Sequence, residues 1–129
     1  QVILPRLKTD IVKLILKSVK NKLKNIKIDW KQEKSMTIVL CSKGYPGRYK
    51  KNIEIKNINK VEINKKSFLF HAGTKFEHGR LLSNGGRVLN ITSMGKKFKI
   101  VRRNIIKILK SLDWKSGFFR RDIGKRVIE

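Results

Sequence analysis

The sequence has few of the residues that usually build a self-sufficient catalytic site. Its 129 residues include one cysteine, two histidines and nine carboxylates, so it offers no internal disulfide, no Cys/His zinc spacing and no paired acidic motif. Its glycines and lysines follow neither Walker nor Rossmann spacing. No apolar run approaches the roughly 18 residues that cross a bilayer, and no segment resembles a signal peptide. We therefore expect a cytoplasmic chain without a metal site or a complete active site of its own.

What the sequence has in excess is positive charge. Lys and Arg number 33 against nine Asp and Glu, a net charge of +24, while 40% of the residues are apolar, enough for one modest core. Lysine supplies most of this charge and accompanies abundant Ile and Asn, as drift in an AT-rich genome would produce, whereas phosphate-binding surfaces favour the planar fork of Arg. The charge therefore says little about function, and a basic nucleic-acid-binding module is kept as the alternative.

Two segments have the apolar spacing of amphipathic helices. In residues 5–24, apolar side chains recur every three or four positions, and Thr9 and Asp10 supply capping groups near the amino end. Residues 97–112 repeat the pattern after Gly95. The lysine stripe of the first helix is expected to be solvated.

Between these helices the pattern changes to short β-branched and aromatic runs separated by Gly, Asn and Pro. It predicts a small antiparallel, barrel-like β unit with strands at residues 36–41, 53–55, 61–63, 67–71 and 87–92. Asn84-Gly85-Gly86 predicts a hairpin turn, since a type I′ turn needs positive φ. Cys41 is expected to be a buried apolar residue and His71 a structural histidine.

Four short runs combine turn glycines with chemistry-bearing residues, three of them with cations: residues 42–47, 70–74, 83–89 and 120–124. In the third, Gly85 and Gly86 can offer backbone N–H groups, and Arg87 adds a bidentate guanidinium. This combination predicts a phosphate-binding site for a small phosphorylated substrate. In the fourth, Arg120 and Arg121 beside Asp122 predict an ion pair that fixes the chain end. Three further candidate cations of the same cleft, each also typical of a solvated surface, are Arg6, Lys8 and Lys43.

In this order and spacing, the runs resemble the carboxyl-terminal part of the glycinamide ribonucleotide synthetase (phosphoribosylamine-glycine ligase) family of ATP-grasp enzymes. The resemblance starts at QVILPRLKTD from Gln1, and it covers essentially the whole chain. It continues through Gly-Tyr-Pro-Gly at 44–47, His-Ala-Gly-Thr at 71–74, Gly-Gly-Arg-Val-Leu at 85–89 and Arg-Asp-Ile-Gly at 121–124.

The resemblance implies a ligase of purine biosynthesis that uses ATP and Mg²⁺ or Mn²⁺ to activate glycine as an acyl phosphate. The amine of 5-phosphoribosylamine then attacks to give glycinamide ribonucleotide. It also implies that the nucleotide site and the metal ligands precede Gln1, so that this chain alone binds neither cofactor, contributes no catalytic residue and is inactive. The expected partners are these two small substrates and the amino-terminal ATP-grasp portion of the same enzyme, with no membrane and no specific nucleic acid.

Two regions follow from the resemblance. Residues 1–30 would be the end of the ATP-grasp domain, with its helix and a linker. Residues 31–129 would be the carboxyl-terminal hybrid-motif domain, a β unit with one packed helix that closes over the ribose phosphate, with Arg87 on the phosphate. A catalytically incomplete structural fragment is the remaining alternative.

Overall fold

A computed structural model describes residues 1–128 and confirms the predicted α+β class. The helices are α1 (Ile11–Val19) and α2 (Phe98–Ser111). The strands are β1 (Lys34–Ser42), β2 (Ser67–His71), β3 (Thr74–Glu77), β4 (Arg80–Ser83), β5 (Arg87–Gly95) and β6 (Gly117–Phe118). Short 3-10 helices occupy Leu4–Arg6, Ile58–Lys60 and Lys125–Val127. None of the helices in residues 1–128 has the length and apolar character needed to cross a membrane.

The main sheet is antiparallel and has the strand order β2-β5-β1-β6. Because β2 and β6 are separate edges, the sheet is open, and the barrel-like form expected from the sequence is not found in residues 1–128. Strand β1 alternates buried and half-buried residues, and its buried set packs with α2 in the core. The core residues of these two elements are Met36, Ile38, Leu40, Val101, Ile105, Ile108 and Leu109.

The hairpin predicted at Asn84-Gly85-Gly86 is wrong. Strand β4 pairs with β3 in a separate two-stranded sheet, while β5 pairs with β1 and β2, so residues 84–86 cross between sheets. The hairpin turn lies instead at His78 and Gly79, whose φ angles of 47° and 74° suit a two-residue type I′ turn. The sequence analysis did not predict this turn, because type I′ turns usually carry Asn, Asp or Gly, and rarely His, at the first central position.

Three of the five predicted strands are confirmed, those at residues 36–41, 67–71 and 87–92, which fall within β1, β2 and β5. The other two are wrong as strands. Glu54 makes only an isolated bridge to Leu82, and Val61 follows the 3-10 helix at Ile58–Lys60. Asn52 and Asn57 adopt φ angles of 59° and 54°, and these left-handed positions break the extended backbone on both sides of residues 53–55.

The second predicted helix is confirmed as α2, but the first is shorter than residues 5–24. Asp10 caps α1, with one carboxylate oxygen accepting from the Val12 N–H at 2.8 Å and the Lys13 N–H at 3.2 Å. The helix ends because Asn21 takes a left-handed φ of 54°. The N–H groups of Asn21 and Lys22 then bond back to the carbonyls of residues 18 and 17, as in a Schellman motif.

Candidate anion-binding site

The crossing segment at residues 84–86 is held by the ends of β1 and β2. The Ser42 N–H donates to the Gly86 carbonyl oxygen, and the Ser42 hydroxyl donates to the Gly85 carbonyl oxygen, both at 2.8 Å. Beyond β2, the Asn84 N–H donates to the Gly73 carbonyl oxygen at 2.7 Å. Three of the four glycine-containing runs, at residues 42–47, 70–74 and 83–89, therefore meet at one place.

Gly73, Gly85 and Gly86 permit contacts that a side chain would block. A Cβ atom on Gly73 would lie 2.5 Å from the Arg87 carbonyl oxygen and 2.8 Å from the Gly85 Cα. A Cβ atom on Gly86 would lie 2.1 Å from Cδ2 of the Tyr45 ring. The three glycines are not among the residues with positive φ. Close backbone approach, rather than a left-handed turn, therefore explains why glycine stands at these positions.

Two backbone donors and one cation at this junction have no partner in the part of the chain that the structure describes. In the hydrogen bonds of residues 1–128, neither the Gly85 N–H nor the Gly86 N–H finds an acceptor. Gly86 is buried, and a buried N–H without an acceptor is costly. Arg87 is exposed and takes part in none of the ion pairs formed within the same residues. Adjacent N–H groups followed by a guanidinium suit a phosphate or another oxyanion.

Cys41 lies beside Arg87, because the two residues are partners in the register of β1 and β5 and so project from the same face. Burial raises the pKa of the Cys41 thiol, and the positive charge of Arg87 partly offsets this rise. The thiol is half-buried rather than buried as predicted. A raised pKa keeps it protonated near neutral pH and gives it no nucleophilic activation.

Lys43 follows β1 and borders an open pocket of about 540 Å³ together with Arg48, Tyr49, Lys50 and Ser116. Its backbone N–H donates to the Ser116 carbonyl oxygen at 2.8 Å. Lys43 also directly follows Ser42, whose two hydrogen bonds hold the Gly85 and Gly86 carbonyl oxygens. Sequence reasoning missed Arg48 and Lys50, whose only signal was their position just after the Gly-Tyr-Pro-Gly run.

Arg6 and Lys8 lie in a different part of the chain, and their backbone hydrogen bonds run to residues 29 and 31. The Lys8 N–H donates to the Asp29 carbonyl oxygen at 2.9 Å, and the Arg6 carbonyl oxygen accepts from the Lys31 N–H at 2.7 Å. No hydrogen bond within residues 1–128 joins either residue to Gly85, Gly86 or Arg87. Their assignment to the same cleft stays a prediction.

The fourth run fixes the chain end in a different way from the one predicted. Arg120 does pair with Asp122, and this bond is the main cause of the lowered pKa of the Asp122 carboxyl, but both side chains are exposed. The stronger attachments come from Arg102 of α2, which donates to the carbonyl oxygens of residues 121 and 123. Gly124 also lies against Met36 of β1, where a Cβ would come 2.4 Å from its Cε atom.

The two histidines add no catalytic pair. His71 is exposed at the end of β2, and its Nδ1 lies 3.0 Å from the Thr74 hydroxyl oxygen, a local bond across the turn into β3. His78 stands in the β3–β4 turn. Across residues 1–128, no group of three His, Cys, Asp or Glu residues is arranged to hold a metal ion.

The open antiparallel sheet, its packed helix and the glycine junction define an α+β domain with a candidate anion-binding site. Residues 35–126 match the family model "Phosphoribosylglycinamide synthetase, C domain". This chain belongs to that family.

Proteins named phosphoribosylamine-glycine ligase are similar to this chain over nearly its whole length. That of Caldanaerobacter subterraneus subsp. tengcongensis is 38% identical over 96% of this chain, and that of Haemophilus influenzae is 39% identical over all of it. These matches span 29% and 30% of the respective relatives. The crystal structure of the Thermotoga maritima ligase superposes with a TM-score of 0.69 at 25% identity, covering 87% of this chain and 27% of that one. The chain thus spans about 30% of the length of its relatives.

Proposed function

We propose that this chain is the carboxyl-terminal part of a phosphoribosylamine-glycine ligase and that it binds the phosphate of 5-phosphoribosylamine. The observation that carries the proposal is the pair of N–H groups at Gly85 and Gly86, directly before the guanidinium of Arg87, none of which has a partner within residues 1–128. Ser42 and Gly73 hold that segment through the bonds described above. The donors are therefore positioned before the substrate arrives, which lowers the ordering cost of binding.

In this proposal the complete enzyme forms glycinamide ribonucleotide from 5-phosphoribosylamine and glycine with ATP and a divalent metal ion. Residues 1–128 offer no cluster that fits a metal ion. We therefore assign the ATP and metal sites to the part of the relatives that this chain does not span. The role of this chain is to orient the ribose phosphate by charge-assisted hydrogen bonds and to close one wall of the site against water. Lys43 borders that wall and adds positive charge.

Residues 1–30 are proposed to belong to the preceding ATP-grasp domain, and the residues from 31 onward to the substrate-closing domain. Two observations support this boundary. The family model begins at residue 35, whereas the relatives match almost from the first residue. In addition, α1 has no buried residue. The large apolar side chains that this region exposes are Ile3, Leu4, Ile11, Val12, Ile15, Leu16, Val19, Leu23, Ile28 and Trp30.

Arg6 and Lys8 would reach the substrate cleft only if the ATP-grasp domain carries them there. In that arrangement their charges would face the closing domain across the cleft. The amino-terminal portion is thus the proposed partner of this chain, and the small substrates are its proposed ligands.

The assignment is tested by replacing Arg87 with Ala in the complete enzyme. Loss of a charge-assisted contact of roughly 1.5–3 kcal/mol should raise the KM for 5-phosphoribosylamine by about tenfold or more, with the KM values for ATP and glycine unchanged. Arg80→Ala is the matched control, because Arg80 is also an exposed arginine at the start of a strand. Equal KM values for Arg87→Ala and Arg80→Ala would remove Arg87 from the phosphate site.

A further inference from the structure

Next to the proposed phosphate site lies a pocket of about 310 Å³ that the function above does not use. Its volume falls at the lower end of the range for small-ligand sites. Seven of the nine lining residues are apolar, and the aromatic rings of Tyr45 and Phe118 form part of its wall. The full lining is Thr37, Ile38, Val39, Cys41, Tyr45, Pro46, Phe118, Arg120 and Ile123.

Two contacts join this pocket to the anion-binding segment. Cys41 lines the pocket and is the register partner of Arg87, so the guanidinium projects from the same sheet face as the pocket wall. Tyr45 also lines the pocket, and its ring lies directly against Gly86. An anion on Gly85, Gly86 and Arg87 would therefore sit at the edge of an apolar cavity.

The one cation of the lining, Arg120, is already paired with Asp122. Arg87 stands outside the lining but beside Cys41, and it makes no ion pair with any residue that the structure describes. A ligand that satisfies both features has one phosphate and one flat, largely apolar ring. A ribose phosphate alone would leave most of the apolar wall in contact with water, since a small hydroxylated sugar has no flat apolar ring to cover it.

We propose that this pocket binds the planar base of a nucleoside monophosphate whose phosphate lies on Gly85, Gly86 and Arg87, in competition with the ribose-phosphate substrate. The proposal rests on the phosphate site assigned above. It adds a class of inhibitor that shares the phosphate anchor of the substrate and gains affinity from the ring. Burial of one base against aromatic side chains should give roughly tenfold tighter binding than ribose phosphate alone.

Cys41 provides the readout, since it is the only cysteine of the chain and it lines the pocket. The rate of its alkylation is measured at one raised ionic strength, which suppresses nonspecific attraction to the +24 chain. The three probes are adenosine 5′-monophosphate, ribose 5-phosphate and adenosine. The nucleotide should protect Cys41 at a concentration roughly tenfold below that of ribose 5-phosphate, and adenosine should protect weakest of the three.

Two variants separate the ring from the phosphate. Phe118→Ala should lose the advantage of the nucleotide but keep protection by ribose 5-phosphate, which also shows that the variant is folded. Phe76→Ala removes an exposed ring on β3 that is not part of the pocket lining, and it should change neither the nucleotide advantage nor the protection by ribose 5-phosphate. In Arg87→Ala, neither adenosine 5′-monophosphate nor ribose 5-phosphate should protect Cys41.

The outcomes distinguish this inference from the function on which it rests. If the nucleotide protects no better than ribose 5-phosphate, the base pocket is refuted while the phosphate site stands. If neither of the two phosphate-bearing probes protects Cys41, the phosphate site is refuted as well. The same holds if both probes still protect Cys41 in Arg87→Ala. Retained nucleotide advantage in Phe118→Ala would also contradict the proposed position of the base.

Discussion

The two α-helices have similar amphipathic sequences but opposite burial. Helix α2 buries four residues, and its Val101 and Ile105 are fully inaccessible. Helix α1 buries none, although its apolar face is equally regular, and Ile15 and Val19 are 56% and 78% exposed. Helical periodicity therefore identifies an apolar face but does not say what covers it. For α2 the cover is the sheet of this chain, and for α1 we propose the preceding domain.

The two regions also differ in how their backbones are held. Residues 35–41 of β1 pair continuously with β5, one bulge aside, within a sheet covered by α2. The region of α1 is held mainly by bonds to residues 29–31, including the Asp29 N–H donating to the Thr9 hydroxyl at 2.8 Å. A region with few buried apolar contacts opens locally at low free energy. The stability of residues 1–30 should accordingly depend on the rest of the enzyme.

The largest expected effect is the difference in the free energy of unfolding between Ile105→Ala and Ile15→Ala. Removing the fully buried Ile105 side chain should lower the free energy of unfolding by roughly 2–5 kcal/mol, since it leaves a cavity under the sheet. Ile15→Ala, on the exposed face of α1, should change it by less than about 0.5 kcal/mol. Urea titration of the 129-residue chain measures both. In the complete enzyme Ile15→Ala should become costly, and a neutral result there would mean that nothing covers α1.

The glycine junction is the next most sensitive place in the closing domain. Gly86→Ala should cost roughly 1–3 kcal/mol, because its Cβ would overlap the Tyr45 ring. Tyr45→Ala removes that ring, so adding Gly86→Ala to it should cost much less than in the wild-type background. Thermal unfolding of the four proteins gives the coupling between the two sites. Simple additivity would show that the ring moves aside without cost.

The sequence predicted well those parts of the domain that local pattern determines. The alternation in residues 36–41 and the helical spacing in residues 97–112 each specify one buried face, and both elements were found. It failed where a distant contact decides the outcome. Asn84-Gly85-Gly86 has a turn composition, yet Ser42 and Gly73 hold it as a crossing between sheets. No local pattern shows that Tyr45 would lie over Gly86.

The candidate site could be proposed from the sequence only in part, because some of its residues are local neighbours and others are not. Gly85, Gly86 and Arg87 are neighbours in sequence, so their donors could be recognised together. Arg48 and Lys50 reach the border of the adjoining pocket through the loop after β1, which only the folded backbone shows. The carboxyl end of α1 was missed because a single asparagine, Asn21, adopts the left-handed conformation that stops the helix.

The smallest expected effect concerns the cap of α1. Asp10→Ala removes the acceptor for the N–H groups of Val12 and Lys13, and such a loss costs a helix about 1 kcal/mol. Because α1 buries nothing in this chain, the cost should appear as faster amide hydrogen exchange in residues 12–19, with global unfolding unchanged. Asp10→Ser keeps a capping oxygen and should preserve the slow exchange. A fall in global stability with Asp10→Ala would instead show that α1 unfolds together with the sheet, so that the two regions form one cooperative unit.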